Sequence, residues 1–208
     1  KITGKRHRFL SKYKIAFTDE GKILAYSVEL NSDAGAATDL SRAILERAML
    51  HVENSYFIPN CKIVGKAYKT NLPSNTAFRG FGGPQGMAVI ETAIDRMARF
   101  LKKDATELRK LNFYGFNDRN ITPYGETISN NHLHVMYDQL LESSGYANRR
   151  HEIEKFNREH ELTKRGIALT PVKFGISFTT AFLNQAGALV HIYTDGTIAV
   201  NHGGTEMG

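Results

Sequence analysis

Three places in the chain carry residue types that could do chemistry. The first is the run Phe78-Arg79-Gly80-Phe81-Gly82-Gly83-Pro84-Gln85-Gly86. Its glycines allow positive φ and a close approach of backbone to a ligand. A helix beginning at Pro84 would present free N–H groups and a positive dipole end to an anion. No Lys-Ser or Lys-Thr follows, so the run is not a P-loop, and the spacing of Gly80, Gly82 and Gly86 misses the dinucleotide fingerprint. A structural turn and an anion site both remain open. Phe78 and Phe81 flank Arg79, and large apolar groups in a loop call for a covering surface or a ligand.

The second place is Arg47. At about 100° per residue, a helix from Asp39 to Glu53 puts Arg47 with Leu40, Ile44 and His51, while Arg42, Glu46 and Glu53 fall opposite. A guanidinium on an apolar face is an internal ion pair, a snorkelling side chain, or a clamp for an anion or carbonyl. The third is Phe174-Gly175-Ile176-Ser177-Phe178-Thr179-Thr180, where strand-like alternation runs into hydroxyls. It reads as a plain strand end or as a pocket wall offering an aromatic edge and a donor. His132 and His134 are two residues apart without a carboxylate–His–Cys set, which argues against a protein-ligated metal.

The elements that must position these groups follow from periodicity. A β-hairpin is expected over 12–31, turning at Asp19-Glu20-Gly21. The helix Asp39–Glu53 comes next, capped by Thr38 or Asp39, and then a strand over 61–69. Pro84 to Lys102 reads as a helix with Ile90, Ile94, Met97 and Leu101 buried, and Asp104 caps another that ends at Phe113. Residues 114–130 are polar and turn-rich. Helices are expected over 131–143 and 147–161, the second charged and solvated. Lys164–Thr179 and Ala188–Asn201 read as strands, the latter a hairpin around Thr194-Asp195-Gly196. The fold class is α+β in two parts: 1–145, a helical connection over 146–162, and 163–208.

The 208 residues carry a net charge of +6, 41% hydrophobic and 23% charged residues, which suits a globular core. No apolar run approaches the roughly 18 residues of a membrane span, and no secretory signal is visible. The single cysteine, Cys61, cannot make an internal disulfide, a Cys-based zinc site or an iron–sulfur cluster. It is expected to be a small buried residue beside a strand. Basic residues are spread out, without the aromatic interleaving of single-strand binders, so nucleic acid is not the expected partner. The chain lacks an initiator Met and stops in a glycine-rich turn, and is expected to be a piece of a longer polypeptide.

These segments closely resemble the molybdopterin-binding part of xanthine dehydrogenases and oxidases. The matching stretches are Glu46-Arg47-Ala48, Lys69 to Gly86, Lys173 to Thr179, Leu183 to Ala188 and Gly203 to Gly208. The resemblance implies two molybdopterin-binding subdomains with mixed sheets and packed helices. It implies hydroxylation of hypoxanthine and xanthine to uric acid with water-derived oxygen, at a molybdenum–molybdopterin centre that no protein side chain ligates. It places 2Fe-2S clusters, FAD and NAD on other domains or subunits of a cytoplasmic homo-oligomer.

Residue by residue, the resemblance gives Arg47 the substrate oxygen and the developing negative charge. Phe81 stacks face-on against the purine, Phe178 meets it edge-on, and Thr179 hydrogen-bonds a ring oxygen. Phe78, Arg79, Gly80, Met207 and Gly208 face the cofactor. The family's general-base glutamate lies beyond Gly208, and another glutamate and a glutamine belong before Lys1. The isolated piece is therefore expected to be inactive. Aldehyde oxidase is the rival within the superfamily, and Arg47 favours the purine enzyme. A basic module that binds anions or nucleic acid, and a structural interaction domain, are the rivals from other classes.

Overall fold

The computed structural model describes residues 4–175, 177–179 and 181–204. It divides into two compact units, residues 1–173 and 174–208. The first unit opens with strands β1 (Phe9–Phe17) and β2 (Ile23–Gly35), paired antiparallel as the alternation requires. Helix α1 (Ser41–Met49) carries the chain over to β3 (Cys61–Lys69), which runs parallel to β2, so the sheet order is β1-β2-β3. A parallel neighbour needs such a crossover, because no tight turn can return the chain in the same direction.

The inner face of β2 supplies Ile23, Tyr26, Val28 and Leu30 to the core. Helix α2 (Gly83–Leu101) lays Ile90, Ala93, Ile94 and Met97 against it, the stripe its 3.6-residue period demands, with Leu101 partly buried at its edge. Helix α3 (Ala105–Asn112) begins where Asp104 accepts a hydrogen bond from the Thr106 amide, the cap expected from sequence. At its other end the fully buried Asn112 clasps the hairpin turn. Its Oδ1 accepts from the Ile23 N–H at 2.8 Å and its Nδ2 donates to the Gly21 carbonyl at 2.8 Å.

Helices α4 (Leu133–Ser143) and α5 (Tyr146–Glu159) complete the first unit, and α5 buries only Tyr146, consistent with a solvated helix. The second unit holds a 3-10 turn at Ala181–Leu183 and a hairpin of β4 (Ala188–Ile192) and β5 (Ile198–His202). This is the α+β architecture expected.

Several expectations fail locally, and α1 begins at Ser41 with Leu40 at the N-cap position and no side-chain cap bond, where Thr38 or Asp39 was expected to cap it. α1 ends at Met49 rather than Glu53, because residues 48–56 close short turns, His51 N–H to Ala48 O and Asn54 N–H to His51 O, and Asn54 takes φ 49°. The helical wheel therefore stops applying. Glu53, placed with Arg42 and Glu46 on the solvated side, is fully buried, and Leu40 is half-exposed as the N-cap residue.

Another failure is the strand over 164–179: residues 164–175 join no ladder. Asparagine side chains satisfy their backbone instead. Asn157 Nδ2 donates to the Arg165 carbonyl and its Oδ1 accepts from the Arg165 N–H.

Candidate functional site

Arg47 lies in the last turn of α1 and is 5% exposed, among buried Ile44, Leu45 and Ala48. The expectation that it faces inward holds. Burial drives its pKa down, yet an arginine stays protonated at neutral pH, so α1 keeps a desolvated cation. His51 sits beside it. One ring nitrogen of His51 is 2.7 Å from the Arg47 carbonyl, so that nitrogen carries the proton and donates. Burial pushes the His51 pKa down to about 4, so no second cation forms next to Arg47 near pH 7.

The loop 78–82 meets α1 through glycine. A Cβ on Gly82 would stand 2.0 Å from the Ile44 carbonyl oxygen and 3.2 Å from the Ala48 nitrogen, and one on Gly86 would stand 2.3 Å from the Ala48 oxygen. These two glycines let the start of α2 press on the backbone of α1. Their close approach is to another helix, where the sequence offered a ligand as one reason for it. One consequence is positional. Phe81 precedes Gly82 and Arg47 precedes Ala48, so the contact brings those two neighbours to adjoining backbone positions.

Three successive residues in the loop, Gly80, Phe81 and Gly82, have positive φ of 86°, 48° and 100°. Phe81 is half-buried, Phe78 is 59% exposed and Arg79 is exposed. A residue that sequence reasoning passed over supports the loop from below. Arg6 Nη2 donates to the Arg79 carbonyl at 2.6 Å, and the Arg6 guanidinium lies 4.5 Å from the centroid of the Phe78 ring. Arg6 stands in the basic stretch Lys5-Arg6-His7-Arg8, where the sequence shows its charge and not its partner.

In the second unit, Phe178 is held by Asn184 in a reciprocal pair. The Phe178 N–H donates to Asn184 Oδ1 at 2.7 Å, and Asn184 Nδ2 donates to the Phe178 carbonyl at 2.9 Å. The amide thereby engages both backbone groups of Phe178, as a strand partner would. Phe178 and Thr179 are half-buried. Met207 and Gly208, expected at the cofactor, lie outside the described residues.

The remaining chemically suggestive residues are structural. His132 stands at the N-cap position of α4 without a side-chain cap bond, and a His134 ring nitrogen bonds the Tyr114 carbonyl at 2.9 Å. Cys61 opens β3, half-buried rather than buried, and desolvation pushes its thiol up to about 11, so it stays protonated.

The chain has counterparts among known proteins. Family models described as molybdopterin cofactor-binding domains match residues 1–113 and 139–208. The chain is 51% identical over 99% of its length to xanthine dehydrogenase of Dictyostelium discoideum. It is 50% identical over its whole length to xanthine dehydrogenase/oxidase of Mus musculus. It spans 15% of the length of each of these relatives. Among solved structures, aldehyde oxidoreductase from Desulfovibrio gigas superposes with a TM-score of 0.70 and 27% identity, over 95% of this chain and 21% of that one. Quinoline 2-oxidoreductase from Pseudomonas putida 86 shares the fold, with a TM-score of 0.72 over 99% of this chain and 27% of that one, at 23% identity. The inward arginine and the glycine loop pressed on its helix thus sit in a chain that belongs to the molybdopterin cofactor-binding domain family.

Proposed function

We propose that the chain is part of a molybdenum hydroxylase that converts hypoxanthine and xanthine to uric acid with water-derived oxygen. The carrying observation is Arg47, a desolvated cation on the buried side of α1 whose backbone adjoins the loop of Phe81. A cation in such a place is stabilised by negative charge delivered to it, and hydroxylation of a purine builds negative charge on the heterocycle. Relatives named xanthine dehydrogenase at about half identity support the same reading.

In this proposal Arg47 orients the purine oxygen and stabilises the charge that develops there. Phe81 supplies a flat apolar face, Phe178 an edge, and Thr179 a hydroxyl donor. Aromatic surfaces on a purine also exclude water, which strengthens the Arg47 interaction.

Phe78, Arg79 and Gly80 would hold the cofactor, with Met207 and Gly208 completing the contact. The residues present fit such a group. The loop offers an exposed guanidinium at Arg79 and three successive positive φ values, at Gly80, Phe81 and Gly82, which shape a concave backbone. Gln85 Oε1 and Arg6 Nη1 are buried with no hydrogen-bond partner among the described residues, as polar atoms beside a ring system rich in heteroatoms would be. The molybdenum–molybdopterin group, when bound, supplies the two-electron redox chemistry. Iron–sulfur, FAD and NAD sites on other domains or subunits of a cytoplasmic homo-oligomer serving purine catabolism complete the proposal.

The test is Arg47→Ala in the full-length protein. Activity on xanthine should fall by about a hundredfold or more, the usual effect of removing one preorganised charge donor. Activity on an aromatic aldehyde, which presents no such oxygen to Arg47, should fall far less. Equal losses would favour an aldehyde oxidase-type enzyme. Binding of nucleic acid that weakens steeply with salt would point to a basic binding module instead.

A further inference from the structure

Among the described residues, the most deeply buried charged side chain of the first unit is Glu53, at the turn after α1. Glu53 is 0% exposed, and its carboxylate forms a close ion pair with the ammonium of Lys173. Lys173 Nζ also donates to Tyr124 Oη at 2.9 Å, and it stands 5.4 Å and 5.1 Å from the ring centroids of Tyr114 and Tyr124. The next residue, Asn54, brackets the same segment through its side-chain amide. Its Nδ2 donates to the Pro171 carbonyl at 2.8 Å and its Oδ1 accepts from the Lys173 N–H at 3.0 Å. Two consecutive residues thus grip Pro171–Lys173 by both backbone directions and by its one charge.

Asn54 is itself fixed. Its Nδ2 reaches Glu91 Oε1 at 2.9 Å, and the same carboxylate accepts from Tyr56 Oη and Arg109 Nε. A buried ion pair is a poor stabiliser compared with apolar packing, so what distinguishes it is the single geometry it enforces. Fixation is what this stretch needs, since residues 164–175 belong to no sheet. Lys173 ends the first unit, and Phe178 and Thr179 follow within six residues. Glu53 in turn shares one short stretch of chain with Arg47.

We propose that Glu53, Asn54 and Lys173 form a positioning clamp that fixes where the segment bearing Phe178 and Thr179 starts, and so governs how well the purine is held. None of the three touches substrate; they act through Phe178 and Thr179. The inference rests on the proposed function, which gives those two residues their role.

The test uses the full-length protein and the variants Lys173→Met, Asn54→Ala and the conservative Lys173→Arg. Hydrogen exchange over residues 170–179 should rise in the first two, with molybdenum content and exchange elsewhere unchanged. The KM for xanthine should rise about tenfold with a smaller change in kcat, since misplacing a substrate contact by about 1 Å costs up to about a hundredfold. Lys173→Arg should restore both readings. Should Lys173→Met fail to fold, Asn54→Ala carries the comparison. Unchanged exchange over 170–179, or a rise spread evenly over the domain, overturns the clamp. A local rise with an unchanged KM overturns its link to the substrate. A wild-type protein without purine hydroxylation would refute the proposed function, and the exchange measurement would still decide the clamp.

Discussion

Gly82 packs so closely on Ile44 that a methyl group in place of its hydrogen would stand 2.0 Å from the Ile44 carbonyl oxygen, while its own φ is 100°. Both facts bear on Gly82→Ala. The backbone obstacle is the body of α1, which cannot swing away like a side chain, and the left-handed conformation penalises any Cβ. Overpacking and strain together should cost about 2–5 kcal/mol. The unfolding midpoint measures it, and a variant as stable as the parent would show that α1 and α2 do not meet this way.

His51 gives the first unit a pH-dependent stability with a definite sign. Its folded pKa, about 4, lies below the ordinary histidine value of 6.5, so the unfolded chain binds the extra proton first. Stability is complete above about pH 6.5 and declines as the pH falls toward 4, by about 3 kcal/mol in all. His51→Asn should flatten unfolding free energy against pH across that window. A slope identical to wild type would remove His51 as its source.

Glu91 and Arg109 form a buried pair at 2.8 Å, with side chains 16% and 5% exposed, whereas Asp95 and Arg99 form a solvated one on the same helix at 46% and 79%. Glu91→Ala leaves Arg109 without its carboxylate and takes an acceptor from Tyr56 and Asn54, which should cost about 3–5 kcal/mol. Asp95→Ala should cost under about 0.5 kcal/mol, as exposed i,i+4 pairs do. Comparable losses for the two variants, read from chemical denaturation, would contradict the assigned burial.

Arg47→Lys asks whether charge alone suffices in the proposed site. Lysine keeps the cation but loses the planar fork, and its strongly hydrated ammonium resists burial. Activity on xanthine should fall between the wild type and Arg47→Ala, chiefly in kcat if the interaction tightens in the transition state. A lysine variant equal to the alanine variant would show that the fork, not the charge, matters.

Local pattern carried much of the fold. Alternation in β1 and β2, the stripe Ile90-Ile94-Met97 and the cap Asp104 are each written within a few residues, because burial on one face imposes a period on the chain itself. The inward aspect of Arg47 was legible for the same reason. The wheel failed beyond Met49, where Glu53, assigned to the solvated side, is buried by turns rather than by helical phase. Residues 164–175 misled more thoroughly. Their composition is that of a strand, but side chains of Asn54 and Asn157, distant or outside the segment, take the backbone bonds that a ladder would have made.

By itself the sequence determined the order and faces of the elements, and through residues 69–86 its kinship. Those are properties of short stretches, where each residue's chemistry acts on its near neighbours. Only the tertiary structure decided that Gly82 and Gly86 serve a helix crossing, that Arg6 underlies Phe78 and Arg79, and that Lys173 closes on Glu53. Each of these joins residues far apart along the chain. A glycine or a charge states what it permits, and the fold alone supplies the partner that it meets.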